Sequence, residues 1–73
     1  MENNITEIEK EAIRILTETS KNKDTLYEYT DKIDLHQTLK KRNTPKYNIK
    51  ILKELDLTYI NIKAEEEYQK WKQ

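Results

Sequence analysis

Apolar residues recur at helical spacing through most of the chain. Ile5, Ile8, Ala12, Ile15, Leu16 and Thr19 fall on one face, with Ile13 alone off the stripe. Asn4 followed three residues later by Glu7 forms a capping-box-like start, and Glu2, Glu7, Glu9 and Glu11 crowd turns where the helix dipole favours negative charge. This pattern predicts a helix over about 4–20. Ser20-Lys21-Asn22-Lys23 is polar and unpatterned and reads as a loop. Asp24 is placed to cap a second helix with Leu26, Tyr29 and Ile33 on one face. That stripe breaks before Leu35 and Leu39, so Asp34, with Gln37 three residues on, reads as the cap of a separate short helix over about 35–42. One kinked helix is the alternative.

Thr44-Pro45 is the sharpest boundary, with a good N-cap followed by a proline suited to the first helical position. It predicts a helix over about 45–56 that buries Ile51, Leu52 and Leu55, flanked by Ile49 and Tyr47. Residues 57–63 are rich in β-formers and partly alternate, which fits a short strand; Leu52, Leu55, Tyr59 and Ile62 are also helically spaced, which fits a continuing helix. Residues 64–72 are helix-prone, with Ala64, Tyr68 and Trp71 on one side. The expected fold is therefore mainly α, a compact bundle of four to five short helices in one small domain, 1–73, with a short β segment near 58–63 left open.

At 73 residues, a single core without staples supplies roughly 3–5 kcal/mol, so dimerisation or a partner is expected, a homodimer first. No run approaches the ~18 apolar residues of a membrane span, and the start MENNITEIEK lacks the basic and apolar regions of a signal peptide. A cytoplasmic protein without membrane contact is the expectation. Usage rich in Lys, Asn, Ile and Tyr and free of Gly and Val points to AT-rich codons, and so to a low-GC bacterium or one of its phages or plasmids.

Composition removes most chemistry. With no glycine there is no phosphate-cradling loop, dinucleotide fingerprint or nucleophile elbow; with no cysteine there is no thiolate metal site, thiol nucleophile or disulfide. One histidine, His36, makes no His-rich metal site. A non-enzymatic protein with no catalytic residues, cofactor or metal is expected. Glu65-Glu66-Glu67 reads as an acidic helix start, since three consecutive carboxylates cannot face one pocket. His36, beside Asp34, reads as a surface histidine.

The formal charge of zero hides a segregation. Residues 1–34 carry a net of −4, residues 35–53 carry six bases and no acid, and residues 54–73 carry −2. On a helix after Pro45, Lys46, Lys50 and Lys53 form one stripe opposite Leu52 and Leu55. Joined to Lys40, Lys41 and Arg42 and interleaved with Tyr47 and Asn48, it is a candidate phosphate-contacting surface; a solvated lysine face is the alternative.

The order EAIRILTETS, polar link, TLYEYTDKI, capped TPKYNIKILKELDL and extended YINIK resembles the winged-helix branch of helix-turn-helix DNA-binding proteins over about residues 8–63. The resemblance implies a third helix in the major groove followed by strands. It makes Lys46, Tyr47, Asn48, Lys50 and Lys53 the groove-facing residues, with Ile49, Leu52 and Leu55 as that helix's core. Two functions follow as expectations. The first is a small phage- or plasmid-type regulator that binds duplex DNA. The second is a helical protein–protein interaction module of the inhibitor, anti-defence or immunity type, with Tyr68 and Trp71 as the partner-facing aromatics.

Overall fold

The computed structural model describes residues 2–44 and 48–72, with side chains from Glu7 onward. Four helices follow one another: α1 (Glu2–Lys21), α2 (Lys32–Lys41), α3 (Ile49–Leu52) and α4 (Leu57–Lys72). No strand occurs among the described residues.

Helix α1 follows its apolar stripe: Ile8, Ala12, Ile15 and Leu16 are buried, and Ile13 packs half-buried against them. The helix already runs at Glu2, so Asn4 lies inside it rather than at its cap. It packs along α4, whose buried residues Ile60, Ala64 and Tyr68 recur every fourth position. Residues 57–63 are thus helical. The Asp56 carboxylate accepts from the Tyr59 N–H at 3.2 Å and its carbonyl accepts from the Ile60 N–H at 3.1 Å, starting the helix where a strand was equally expected. The stripe is Ile60-Ala64-Tyr68, and Tyr59 and Ile62 face outward.

The helix expected from Asp24 does not form. Asp24 takes a left-handed backbone, φ 62°, and residues 26–29 have no regular secondary structure. Two side chains hold this segment in place of a sheet neighbour. Buried Ser20 donates its hydroxyl to the Leu16 carbonyl at 2.9 Å and accepts from the Tyr27 N–H at 3.0 Å. Asn61 of α4 accepts from the Tyr29 N–H at 3.2 Å and donates its amide to the Tyr29 carbonyl at 3.0 Å, as a pairing strand would. Leu-Tyr-Glu-Tyr-Thr is β-prone rather than helix-prone, and the Tyr27 and Tyr29 rings meet edge-to-face at 5.5 Å.

A single helix, α2, replaces the two expected to meet at Asp34. Asp31 is its N-cap and accepts from the Asp34 N–H at 2.9 Å; Asp34 sits in the first turn and accepts from the Thr30 hydroxyl at 2.8 Å. Only Leu35 and Leu39 of α2 are buried. At its other end Asn43 stands at φ 53°. Its N–H bonds the Lys40 carbonyl at 3.1 Å, and the Thr44 N–H bonds the Leu39 carbonyl at 3.2 Å. This is a Schellman ending with asparagine in the position glycine usually takes. Asp24 and Asn43 therefore supply the positive φ that a glycine-free chain still needs; their short polar side chains tolerate it best after glycine.

The Thr44 N–H closes α2, and its expected role as cap of a helix at Pro45 falls on residues outside those described. Pro45, Lys46 and Tyr47 lie outside the described residues. Helix α3 is one turn, capped by Asn48, which accepts from the Ile51 N–H at 2.9 Å. The helix expected over 45–56 is thus Ile49–Leu52 among the described residues, followed by a turn in which Leu55 is buried. Lys32 Nζ donates to the Lys53 carbonyl at 2.7 Å, tying the start of α2 to the end of α3.

Candidate functional site

The basic residues of the sequence's centre lie in two places, at the end of α2 and on the one-turn α3, whose own end is tied to the start of α2. Lys40, Lys41, Arg42, Asn48, Lys50 and Lys53 are all exposed. Lys40 and Lys41 occupy the last turn of α2 and Arg42 its C-cap, where cations offset the helix dipole. Lys50 lies on α3 and Lys53 is its C-cap, so they share one short turn; the stripe's third member, Lys46, and neighbouring Tyr47 are outside the described residues.

Four cations on α1 and α4 are matched within their own helix. Arg14 pairs with Glu11 at 2.9 Å, Lys21 with Glu18 at 3.1 Å, Lys63 with Glu66 at 3.5 Å and Lys70 with Glu67 at 3.4 Å. The Arg14 hydrogen bond holds the Glu11 carboxyl below its usual range. None of these pairs, all on α1 and α4, involves Lys40, Lys41, Arg42, Lys50 or Lys53. The uneven charge of the sequence thus persists in three dimensions.

The basic end of α2 borders a cleft of about 360 Å³ between the last turns of α1 and α2, with the segment around residues 23–29 as its third wall. Lys23, Lys41 and Arg42 line it together with Tyr27 and Tyr29, and no carboxylate does. Arg42 donates to the Thr19 hydroxyl at 3.2 Å, and Lys23 Nζ stands 5.6 Å from the Tyr27 ring centroid. Tyr29 is buried, and burial pushes its phenol up to about 12; the Tyr27 phenol adds to that, while a hydrogen bond with Thr38 and the charge of Arg42 pull the other way.

A raised pKa means that the folded state holds this proton longer than the unfolded state. Its contribution is complete below about pH 10 and falls away as pH rises towards 12, an effect of roughly 2–3 kcal/mol. In a spectrophotometric titration the wild type should show a late-ionising tyrosine step that Tyr29→Phe removes.

A second concavity, a groove of about 590 Å³, lies between α1 and α4. Ile13 and Thr17 line it from α1, and Tyr59 and Trp71 from α4. Trp71 is 46% exposed, with Lys21 Nζ 5.8 Å from its ring centroid. Tyr68, 5.7 Å from the Trp71 ring, is itself buried at 3% exposure, so the aromatic surface available to a partner belongs to Trp71 and Tyr59.

Charge alone located Lys40, Lys41, Arg42, Lys50 and Lys53 in the sequence. It did not bring Lys23, Tyr27 and Tyr29 to this site, because a helix was expected after Asp24 where the chain has no regular secondary structure. The i, i+2 pairing of the tyrosines was the available signal. Among the described residues no three His, Asp or Glu side chains converge as metal ligands, and no helix is long and apolar enough to cross a membrane. No protein-family model matches the sequence, and neither a curated protein nor a solved structure matches it.

Proposed function

We propose that this chain is a small, non-enzymatic regulator that binds duplex DNA through the basic surface of α2 and α3. The observation that supports this reading is the absence of any acid from residues 35–53, together with the exposure of Lys40, Lys41, Arg42, Lys50 and Lys53 without a carboxylate partner among the described residues. Unpaired like-signed side chains raise the local potential and gain free energy from counterion release at a phosphate backbone. With α3 a single turn, the reading rests on backbone contact by this surface more than on a long recognition helix. Asn48 is engaged as a cap through its Oδ1, and base-edge readout is not part of the proposal.

The testing variant is Lys40→Gln, Lys41→Gln, Lys50→Gln and Lys53→Gln combined. All four are exposed, so the circular dichroism spectrum should stay unchanged while duplex affinity falls. Each lost phosphate contact should lower the steepness of the log–log salt dependence by about one. Unchanged binding by this variant would refute the proposal.

A second reading, a protein–protein interaction module, is favoured by the α1–α4 groove with exposed Tyr59 and Trp71 at its wall. Under it, Trp71→Ala abolishes capture of a single stoichiometric partner and leaves duplex binding untouched. A homodimer is part of the proposal under either reading.

A further inference from the structure

We propose that the cleft between the ends of α1 and α2 is a binding site for a terminal phosphate group, a phosphomonoester. Three cations converge on it, from the turn after α1 (Lys23) and from the end of α2 (Lys41 and Arg42), and no carboxylate lines it. The last turns of both helices also border the cleft, and each helix end contributes roughly half a negative charge. Three positive charges less these two halves leave about two, which matches the charge of about −1.5 to −2 on a monoester phosphate at neutral pH and exceeds the single charge of a diester. The volume, about 360 Å³, lies at the lower end of the range for small-ligand sites, roughly 300–1,000 Å³.

The chemistry of the walls suits this ligand. Arg42 is the planar, multiply donating group that grips phosphate oxygens, and its bond to Thr19 Oγ1 at 3.2 Å holds the guanidinium at the wall. Tyr29 keeps its proton throughout the neutral range and so adds no negative charge. Tyr27, 39% exposed beside Lys23, lines the same cleft and offers a ring to whatever group carries the phosphate. The site does not depend on duplex binding, although Lys41 and Arg42 serve both surfaces.

The test is a backbone-amide NMR titration of the full chain at constant ionic strength in chloride. The probes are inorganic phosphate, ribose 5-phosphate, dimethyl phosphate, and a trinucleotide with and without its 5′-phosphate. Inorganic phosphate and at least one monoester should shift Tyr27, Tyr29, Thr38 and Arg42 saturably, with dimethyl phosphate about tenfold weaker. Arg42→Gln and Lys41→Gln, both at exposed positions, should each weaken binding by about tenfold, the loss expected for one charge-assisted contact. Preference for ribose 5-phosphate assigns the natural source to a small phosphorylated molecule. Preference for the 5′-phosphorylated trinucleotide assigns it to a strand end. The proposal is overturned if no probe saturates through the millimolar range, or if the diester and the Arg42→Gln variant give unchanged affinities. Lys50→Gln with Lys53→Gln, outside the cleft, should leave these shifts intact, so failure of duplex binding is distinguishable from failure here.

Discussion

Leu35→Ala should remove most of the protein's stability at room temperature. Leu35 is 0% exposed, and with Leu39 it is one of two residues that fix α2 to the core. Truncating a buried leucine costs about 2–5 kcal/mol, transfer and cavity together, against the roughly 3–5 kcal/mol that a core of this size supplies. Urea unfolding followed by circular dichroism would measure the loss. Ile33→Ala is the internal control. Ile33 is 65% exposed, and its replacement should change stability by no more than about 0.5 kcal/mol. A large effect at Ile33 with a small one at Leu35 would restore the helix register read from the sequence.

The second large effect is expected at Asn61. Its amide satisfies both backbone groups of Tyr29, and Asn61→Ala leaves that N–H and that carbonyl without partners. Each unsatisfied group costs about 1–3 kcal/mol, so a total of roughly 2–6 kcal/mol is expected. Asn61→Asp separates the two bonds. At neutral pH the carboxylate still accepts from the Tyr29 N–H but opposes the Tyr29 carbonyl; protonated, it can donate again. The Asp variant should therefore regain stability relative to wild type as pH falls through its carboxyl pKa, and the Ala variant should not. Because Tyr27 and Tyr29 line the cleft, both variants should also weaken phosphate binding.

These two residues show where the sequence was legible. The core face of α1 was readable, because Ile8, Ala12, Ile15 and Leu16 repeat at one helical spacing and all join the buried core. Leu52, Leu55, Ala64 and Tyr68 were readable for the same reason. The second helix was not. Tyr29 is buried, and its apolar spacing to Leu26 and Ile33 looked helical; what decides the segment is Asn61, thirty-two residues away, together with the Ser20 hydroxyl. Local periodicity carries no record of a side chain that stands in for a strand. Residues 57–63 were ambiguous because β-prone side chains and a good capping aspartate coincide, and packing of Ile60 and Ala64 on α1 settles them as helix.

The candidate site divides the same way. Charge segregation is a property of the sequence, so Lys40, Lys41, Arg42, Lys50 and Lys53 could be chosen before any fold was known. The cleft depends on where two helices end. Those ends were obscured by the absence of glycine, since Asp24 and Asn43 take the left-handed positions that usually mark them.

Salt dependence of duplex binding tests the central claim most directly. Equilibrium affinity of the wild-type chain for a short duplex should be measured by anisotropy between low and physiological salt. If five phosphates are neutralised by Lys40, Lys41, Arg42, Lys50 and Lys53, the log–log slope should be about −4 to −5, and affinity should fall several hundred-fold, roughly, between 50 and 200 mM. Absence of binding at the lowest salt, or a slope indistinguishable from zero, would contradict the assignment of this surface to nucleic acid.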